Sequence, residues 1–227
     1  MVLASGYGSR VGAELNKVYL PLAGRRLLSW SLAALGRVPE IGVSVLVIRP
    51  QDADYANEVI ADLGRDDVEL VNGGATRQES ELMALRHLAG RIESGQVDTV
   101  LIHDAARPLV STELITAVLT ETRAHGGAIP GLPRADLVAV DPEGDRVSGG
   151  ALEGVVAVQT PQGFAAEPLL RAYEQADRDG FAGTDTASCM ARYSDIAVRC
   201  IAGEHRNVKV TYPHDLALAE QVLAGRG

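Results

Sequence analysis

Aromatic side chains are scarce in this sequence: two Phe, one Trp and six Tyr amount to 4% of 227 residues. The core must therefore be built from Val, Leu, Ile and Ala, which supply most of an apolar content of 46%. Cysteine is scarcer still. Cys189 and Cys200 have neither metal-ligand spacing nor the pattern of a disulfide framework, and are expected to be buried structural thiols in a reducing cytoplasm. No apolar run approaches the roughly 20 residues of a membrane-spanning helix. No basic stretch followed by an apolar one opens the chain, so neither anchor nor secretion signal is expected. Positive charge is also short: 21 Lys and Arg against 30 Asp and Glu give a formal charge of −9. That balance argues against nucleic acid or an anionic membrane as a partner, and any anion site must be a local one.

What is present is a βαβα rhythm. The runs VSVLVI (43–48), VELV (68–71), TVLIH (99–103) and GVVAVQ (154–159) are short, β-branched and nearly continuous, as strands buried on both faces of a parallel sheet are. Between them, residues 27–35, 54–63, 77–92 and 112–123 have helical spacing, and Ser111 or Thr112 is placed to cap the last. The pattern predicts one α/β domain over 1–227, a doubly wound, mostly parallel, Rossmann-like sheet with ligands outside the carboxyl ends of its strands. Residues 134–155 break the rhythm. Two short extended stretches flank a Pro-Glu-Gly-Asp turn, which predicts a projecting β-hairpin arm of the kind that reaches a neighbouring subunit.

Near the start stands ASGYGSR, Ala4 to Arg10. Val11 occupies the place of the third glycine in a dinucleotide fingerprint, and Lys17 lacks the neighbours of a Walker loop. What remains is a turn of small residues, Ala4, Ser5, Gly6, Gly8 and Ser9, followed by the cations Arg10 and Lys17. It reads either as a triphosphate-binding turn or as a glycine turn with two solvated cations. Other polar groups collect where strands should end: Gly73-Gly74 with Arg77 and Ser80, Asp104 to Pro108 after 99–103, and Gln159 to Gln162. Thr184 to Ser188 and Arg206 to Thr211 follow. Each alone has a bland account as a cap, turn or exposed lysine. Together they put one acid, several glycines and at least four cations on one edge of the sheet.

In this order, the small-residue turn with Arg10 and Lys17, GG-x-x-R-x-x-S at Gly73 to Ser80, HDAARP at His103 to Pro108, QTPQ-x-F at Gln159 to Phe164, TD-x-A-S at Thr184 to Ser188 and N-x-K-x-T at Asn207 to Thr211 resemble the cytidylyltransferases that act on 2-C-methyl-D-erythritol 4-phosphate. Ribitol-5-phosphate cytidylyltransferases are close relatives. The resemblance covers nearly the whole chain. It implies a cytoplasmic homodimer in which each hairpin arm reaches the other subunit's site, with CTP and a polyol phosphate as substrates and Mg²⁺ as cofactor. It further implies that Ala4, Ser5, Gly6, Gly8 and Ser9 wrap the nucleotide, with Gly74 and Ser80 near the cytosine and ribose and Arg77 supporting that loop. Arg10 and Lys17 would hold the triphosphate, and Lys209 would sit between its α-phosphate and the incoming phosphate. Asp104 would touch the ribose or the metal. Ala105, Arg107 and Thr160 would shape the acceptor pocket. No catalytic His or Ser constellation is needed, because a phosphate monoester with a second pKa of about 6 is already a dianionic nucleophile near neutrality.

The sequence departs from this family where the acceptor is read. The arm usually has Asp-Thr and then a basic residue, with the threonine contacting the acceptor phosphate across the dimer; here it has Asp136-Leu137-Val138-Ala139. Eight residues before Thr160, where an arginine usually binds that phosphate, stands Leu152. Arg134 or Arg146 in a shifted register is the alternative source of the charge. The first strand, expected at Met1 to Ala4, also has fewer residues before it than is usual. A ribitol 5-phosphate or other polyol-phosphate acceptor, and a catalytically weak nucleotide-binding homologue with a regulatory role, are the alternative readings.

Overall fold

A computed structural model describes residues 1–6, 15–141, 143–144, 146–183 and 185–225. The expected helices are present: α1 (Leu27–Leu35), α2 (Ala53–Leu63), α3 (Arg77–Glu93) and α4 (Thr112–His125). Ser111 caps α4, its side chain accepting from the Leu114 amide. Thr76 and Glu79 close a reciprocal capping box at the start of α3, which satisfies two amides that would otherwise lack partners. The first strands are β1 (Val2–Leu3), a small pair β2 (Pro21–Leu22) and β3 (Arg25–Arg26), β4 (Ser44–Ile48), β5 (Val68–Asn72) and β6 (Thr99–Asp104). Beyond α4 run β7 (Gly127–Pro133), β8 (Val138–Val140), β9 (Val147–Ala151), β10 (Val156–Val158), β11 (Gln162–Ala165), α5 (Ala166–Arg178), α6 (Thr186–Tyr193), β12 (Arg199–Ala202) and α7 (Pro213–Ala224).

The main sheet has the order β10-β7-β11-β6-β1-β4-β5, with β12 added on β7. Strands β5, β4, β1 and β6 are parallel. Alternate residues of β4 enter different cores: Leu46 and Ile48 pack on one face among residues of α1, α2 and α4, while Val45 and Val47 pack on the other among α3, α5 and α6. Both faces of β4 are covered, which is why its sequence is continuously apolar. The strand order reverses between β1 and β6, and a doubly wound sheet opens a crevice at that point.

Three expectations need correction. The run 154–159 does contain a strand, but β10 lies antiparallel to β7 and is half-buried, because it returns from the arm at the sheet's margin. The run 68–71 forms an edge strand: β5 is half-buried, and its Glu69 turns outward to His87 and Arg91. Cys189 is buried as expected, but Cys200 is exposed on the outer strand β12. The hairpin arm is β8 paired antiparallel with β9. Strand β7 did not show in the sequence because it reads GAIPGLP, the composition of a loop. Gly131 is required there, since a Cβ would come within 2.9 Å of Val156 and 3.0 Å of Cys200 Sγ, where β10 and β12 flank β7.

Candidate active site

The crevice at the β1/β6 reversal holds a cavity of about 340 Å³. Ala4, Ser5 and Gly6 lead off β1 on one side of it, and Gly74 and the start of α3, with Arg77 and Ser80, form a second side. Lys17, Asp104 and Lys209 complete it. These nine sequence-predicted residues are thus brought together. Gly8, Ser9, Arg10 and Thr184 lie outside the described residues.

Each wall has a local cause. The Ala4 amide donates to Val47 O (2.8 Å), extending the sheet one residue past β1. The Ala4 carbonyl accepts from Asn16 Nδ2 at 2.7 Å. Asn16 also caps the short 3-10 helix Lys17–Tyr19 and donates to Asp52 Oδ2 at 3.1 Å. Asp52 is in turn held by two bonds of 2.7 Å from Arg49. One buried amide therefore ties the small-residue turn to the buried Lys17. Opposite, Ser80 Oγ accepts from Gly74 N (3.1 Å) and Ser5 Oγ (2.9 Å) and donates to Thr76 O (2.8 Å). Glycine is required in this loop: a Cβ on Gly73 would lie 2.7 Å from Ser5 Cβ, and one on Gly74 would lie 2.4 Å from Glu79 Cβ.

Asp104 ends β6 with its carboxylate between two cations: Arg77 Nη1 on Oδ1, and Lys209 Nζ on Oδ2 at 2.6 Å. Burial alone would raise its pKa, but Arg77 and Lys209 together hold it well below the usual carboxylate range. Burial alone would lower the pKa of the half-buried Arg77 guanidinium, but Asp104 and Glu81 flank it and raise it above its usual range. Lys209 is carried on a segment fixed by Val210 N to Ala106 O (2.8 Å) and by Asn207 Nδ2 to Thr160 O (2.9 Å).

The remaining predicted residues stand behind the cavity. Ala105 is fully buried, and its neighbour Ala106 lines the cavity instead. Arg107 donates to Asn207 O (2.8 Å) and Val158 O (3.2 Å), clamping the Lys209 segment to β10. Thr160 Oγ1 accepts from Asp104 N (3.0 Å) and lies 3.1 Å from His103 Nδ1. The hydroxyl proton therefore goes to Nδ1, which leaves the His103 ring proton on Nε2, facing Arg107 O at 3.2 Å. Sequence reasoning missed Asn16, Asp52 and Glu81. Asn16 had a signal in its place beside Lys17, whereas Glu81 looks like an ordinary exposed partner of Arg77 at the i, i+4 spacing.

His103 makes the site acid-sensitive. Burial pushes its pKa down to about 4 from 6.5, so on acidification the unfolded chain takes up this proton first. Stability from this group is full above about pH 6.5 and is lost as the pH falls towards 4, a difference of about 3 kcal/mol. Urea titrations at pH 7 and pH 5 should show that slope in the native protein and a shallower one in His103→Gln. Equal slopes would refute this assignment.

Residues 1–225 match the family described as IspD, 2-C-methyl-D-erythritol 4-phosphate cytidylyltransferase. A protein of that name from Thermobifida fusca is 40% identical over 98% of this chain and 91% of its own length. One from Cereibacter sphaeroides is also 40% identical, over 99% and 96%. The crystal structure of 4-diphosphocytidyl-2C-methyl-D-erythritol synthase from Anaerococcus prevotii superposes with a TM-score of 0.85 at 27% identity, over 98% of this chain and 96% of that one. The 2-C-methyl-D-erythritol 4-phosphate cytidylyltransferase from Thermus thermophilus does so at 0.76 and 30%, over 98% and 97%. A family match spanning all but the last two residues, together with relatives and folds alike along the whole length, establishes that the chain belongs to the 2-C-methyl-D-erythritol 4-phosphate cytidylyltransferase family.

Proposed function

We propose that this chain transfers CMP from CTP to 2-C-methyl-D-erythritol 4-phosphate. An oxygen of the acceptor phosphate attacks the α-phosphorus, the bond from that phosphorus to the bridging oxygen breaks, and pyrophosphate leaves with the electron pair. The observation that carries this reading is the single cavity in which Lys17 and Lys209 face the Ala4–Gly6 turn and Gly74. The nucleophile is already charged and needs no general base. The barrier lies in bringing two anions together and in the charge that gathers on the leaving group, which fixed cations are suited to stabilise. Lys209 is placed to leave Asp104 for the phosphates, because Arg77 remains to balance the carboxylate.

Among the described residues no group of three or more His, Cys, Asp or Glu gathers to hold a metal. Among the described residues Asp104 is the one carboxylate lining the cavity. That donor set fits a magnesium ion carried in on the triphosphate, with one protein carboxylate at most. When bound, the ion neutralises charge on the phosphates. The protein's part is to fix the nucleotide with Lys17 and to keep Asp104 ionised.

The arm supports a homodimer. It exposes Val138, Val140, Val147 (65% exposed) and Leu152, an apolar surface suited to a second copy of the chain. Leu137 and Leu152 sit side by side on it, Leu152 N donating to Leu137 O at 3.2 Å. The Arg134 guanidinium is taken up by Asp136 through bonds of 2.6 and 2.7 Å. No arginine or threonine therefore stands at those two positions to grip the acceptor phosphate. A pyrophosphate-release assay with CTP and a panel containing methylerythritol phosphate and ribitol 5-phosphate tests the reading. Methylerythritol phosphate should be used with a raised KM, and Leu152→Arg should lower that KM roughly tenfold or more, since a charge-assisted hydrogen bond contributes about 1.5–3 kcal/mol. A low KM in the native protein, unchanged by Leu152→Arg, would refute the role given to the arm. Exclusive use of ribitol 5-phosphate would refute the choice of acceptor.

A further inference from the structure

Behind the cavity lies a second buried acid. Glu81, one turn along α3 from Arg77, is 1% exposed. Its carboxylate accepts from the Tyr173 hydroxyl of α5 and from Thr186 Oγ1 of α6 at 3.1 Å, and it lies 2.9 Å from Arg77 Nε. That last contact is an ion pair without the alignment of a hydrogen bond, since Nε has no hydrogen-bond partner among the described residues. The charges then alternate from core to cavity: Glu81, Arg77, Asp104, Lys209. Arg77 is therefore held from behind by an acid fixed to two other helices, and in front by the acid that tethers Lys209.

We propose that Glu81 is a positioning residue for the transfer reaction, holding the Arg77 guanidinium so that Asp104 stays in register and Lys209 is released to the phosphates when the nucleotide enters. This rests on the transfer reaction proposed above. A carboxylate buried without need is costly, and α3 could have carried an apolar residue at this inward position. Its placement is intelligible if Arg77 must keep one orientation after Lys209 has moved away. The titratable and charged groups around Glu81 are Arg77 on its own helix, Tyr173 on α5, Cys189 on α6 and Asp104 on β6.

Glu81→Gln retains the shape and the two hydroxyl contacts while removing the charge. It should lower kcat about 10- to 100-fold, leave the CTP KM unchanged or lower because the cavity gains positive charge, and keep Tm within a few degrees. A residue that only supports the fold would instead lower Tm and leave kcat of the folded fraction intact. If Glu81 acts through Arg77, adding Glu81→Gln to Arg77→Met should cost no further activity, because coupled residues are not additive. The doubly neutral protein replaces the ion pair by neutral groups and avoids a stranded buried charge. Native kcat in Glu81→Gln, or additive losses in the double variant, would overturn this inference alone. An inactive native protein would overturn the functional reading with it.

Discussion

Lys209→Ala is expected to lower kcat by about 10²–10³ with little change in Tm. The side chain is 39% exposed and its one ion pair among the described residues is to Asp104, which keeps Arg77 when Lys209 is gone. The lost interaction is one that strengthens as the incoming phosphate closes on the α-phosphate in the transition state, so kcat and kcat/KM should fall together. Lys17→Ala should show a similar fall in kcat but a clearer fall in Tm. Lys17 is buried at the end of the Asn16 tie, and its removal leaves a gap lined by residues placed to surround it. Steady-state kinetics and thermal melts on the two variants separate these outcomes. Native turnover in either one would remove that lysine from the mechanism.

CTP should be preferred over UTP by roughly 100-fold or more. The base is expected against the main chain around Ala4, Ser5 and Gly74, and main-chain groups cannot change from acceptor to donor. The cytosine amino group donates to a carbonyl, whereas uracil presents an oxygen there and leaves two acceptors facing each other. Each polar group left unpaired costs about 1–3 kcal/mol. The loop resists widening to escape the mismatch, because Ser80 Oγ ties it through bonds from Gly74 N (3.1 Å) and Ser5 Oγ (2.9 Å). Calorimetric titration of both nucleotides measures the difference. Equal affinities would show that the base is not read by this loop.

How far these features were legible in the sequence follows from how local their causes are. Helices 27–35 and 77–92 and the Ser111 cap rest on spacing and side-chain capping within one segment, and the structure has them within a residue or two. Strand β4 announces burial on both faces because both faces are in fact packed. Strand β7 does not announce itself, since Gly131 answers to strands β10 and β12, which come later in the chain. The site divides in the same way. Ala4, Lys17 and Gly74 stand in short motifs whose residue types suit an anion, and Asp104 in one whose carboxylate suits a hydroxyl or a metal ion. The Asp104–Lys209 pair and the buried surroundings of Glu81 arise only when β6, α5, α6 and the segment after β12 come together. Glu81 has the i, i+4 spacing of a surface pair and became a buried group because Tyr173 and Thr186 close over it.

The central claim is that this cavity joins CMP to the phosphate of methylerythritol phosphate. Phosphorus NMR of the native protein with CTP, magnesium and methylerythritol phosphate tests it most directly, because the monoester, the new diphosphate diester and pyrophosphate give separate signals. The monoester signal should disappear as the diester and pyrophosphate appear in equal amounts, and omission of either substrate should abolish both. Release of pyrophosphate with the monoester left intact, or no change in any signal while CTP remains bound, would contradict the account.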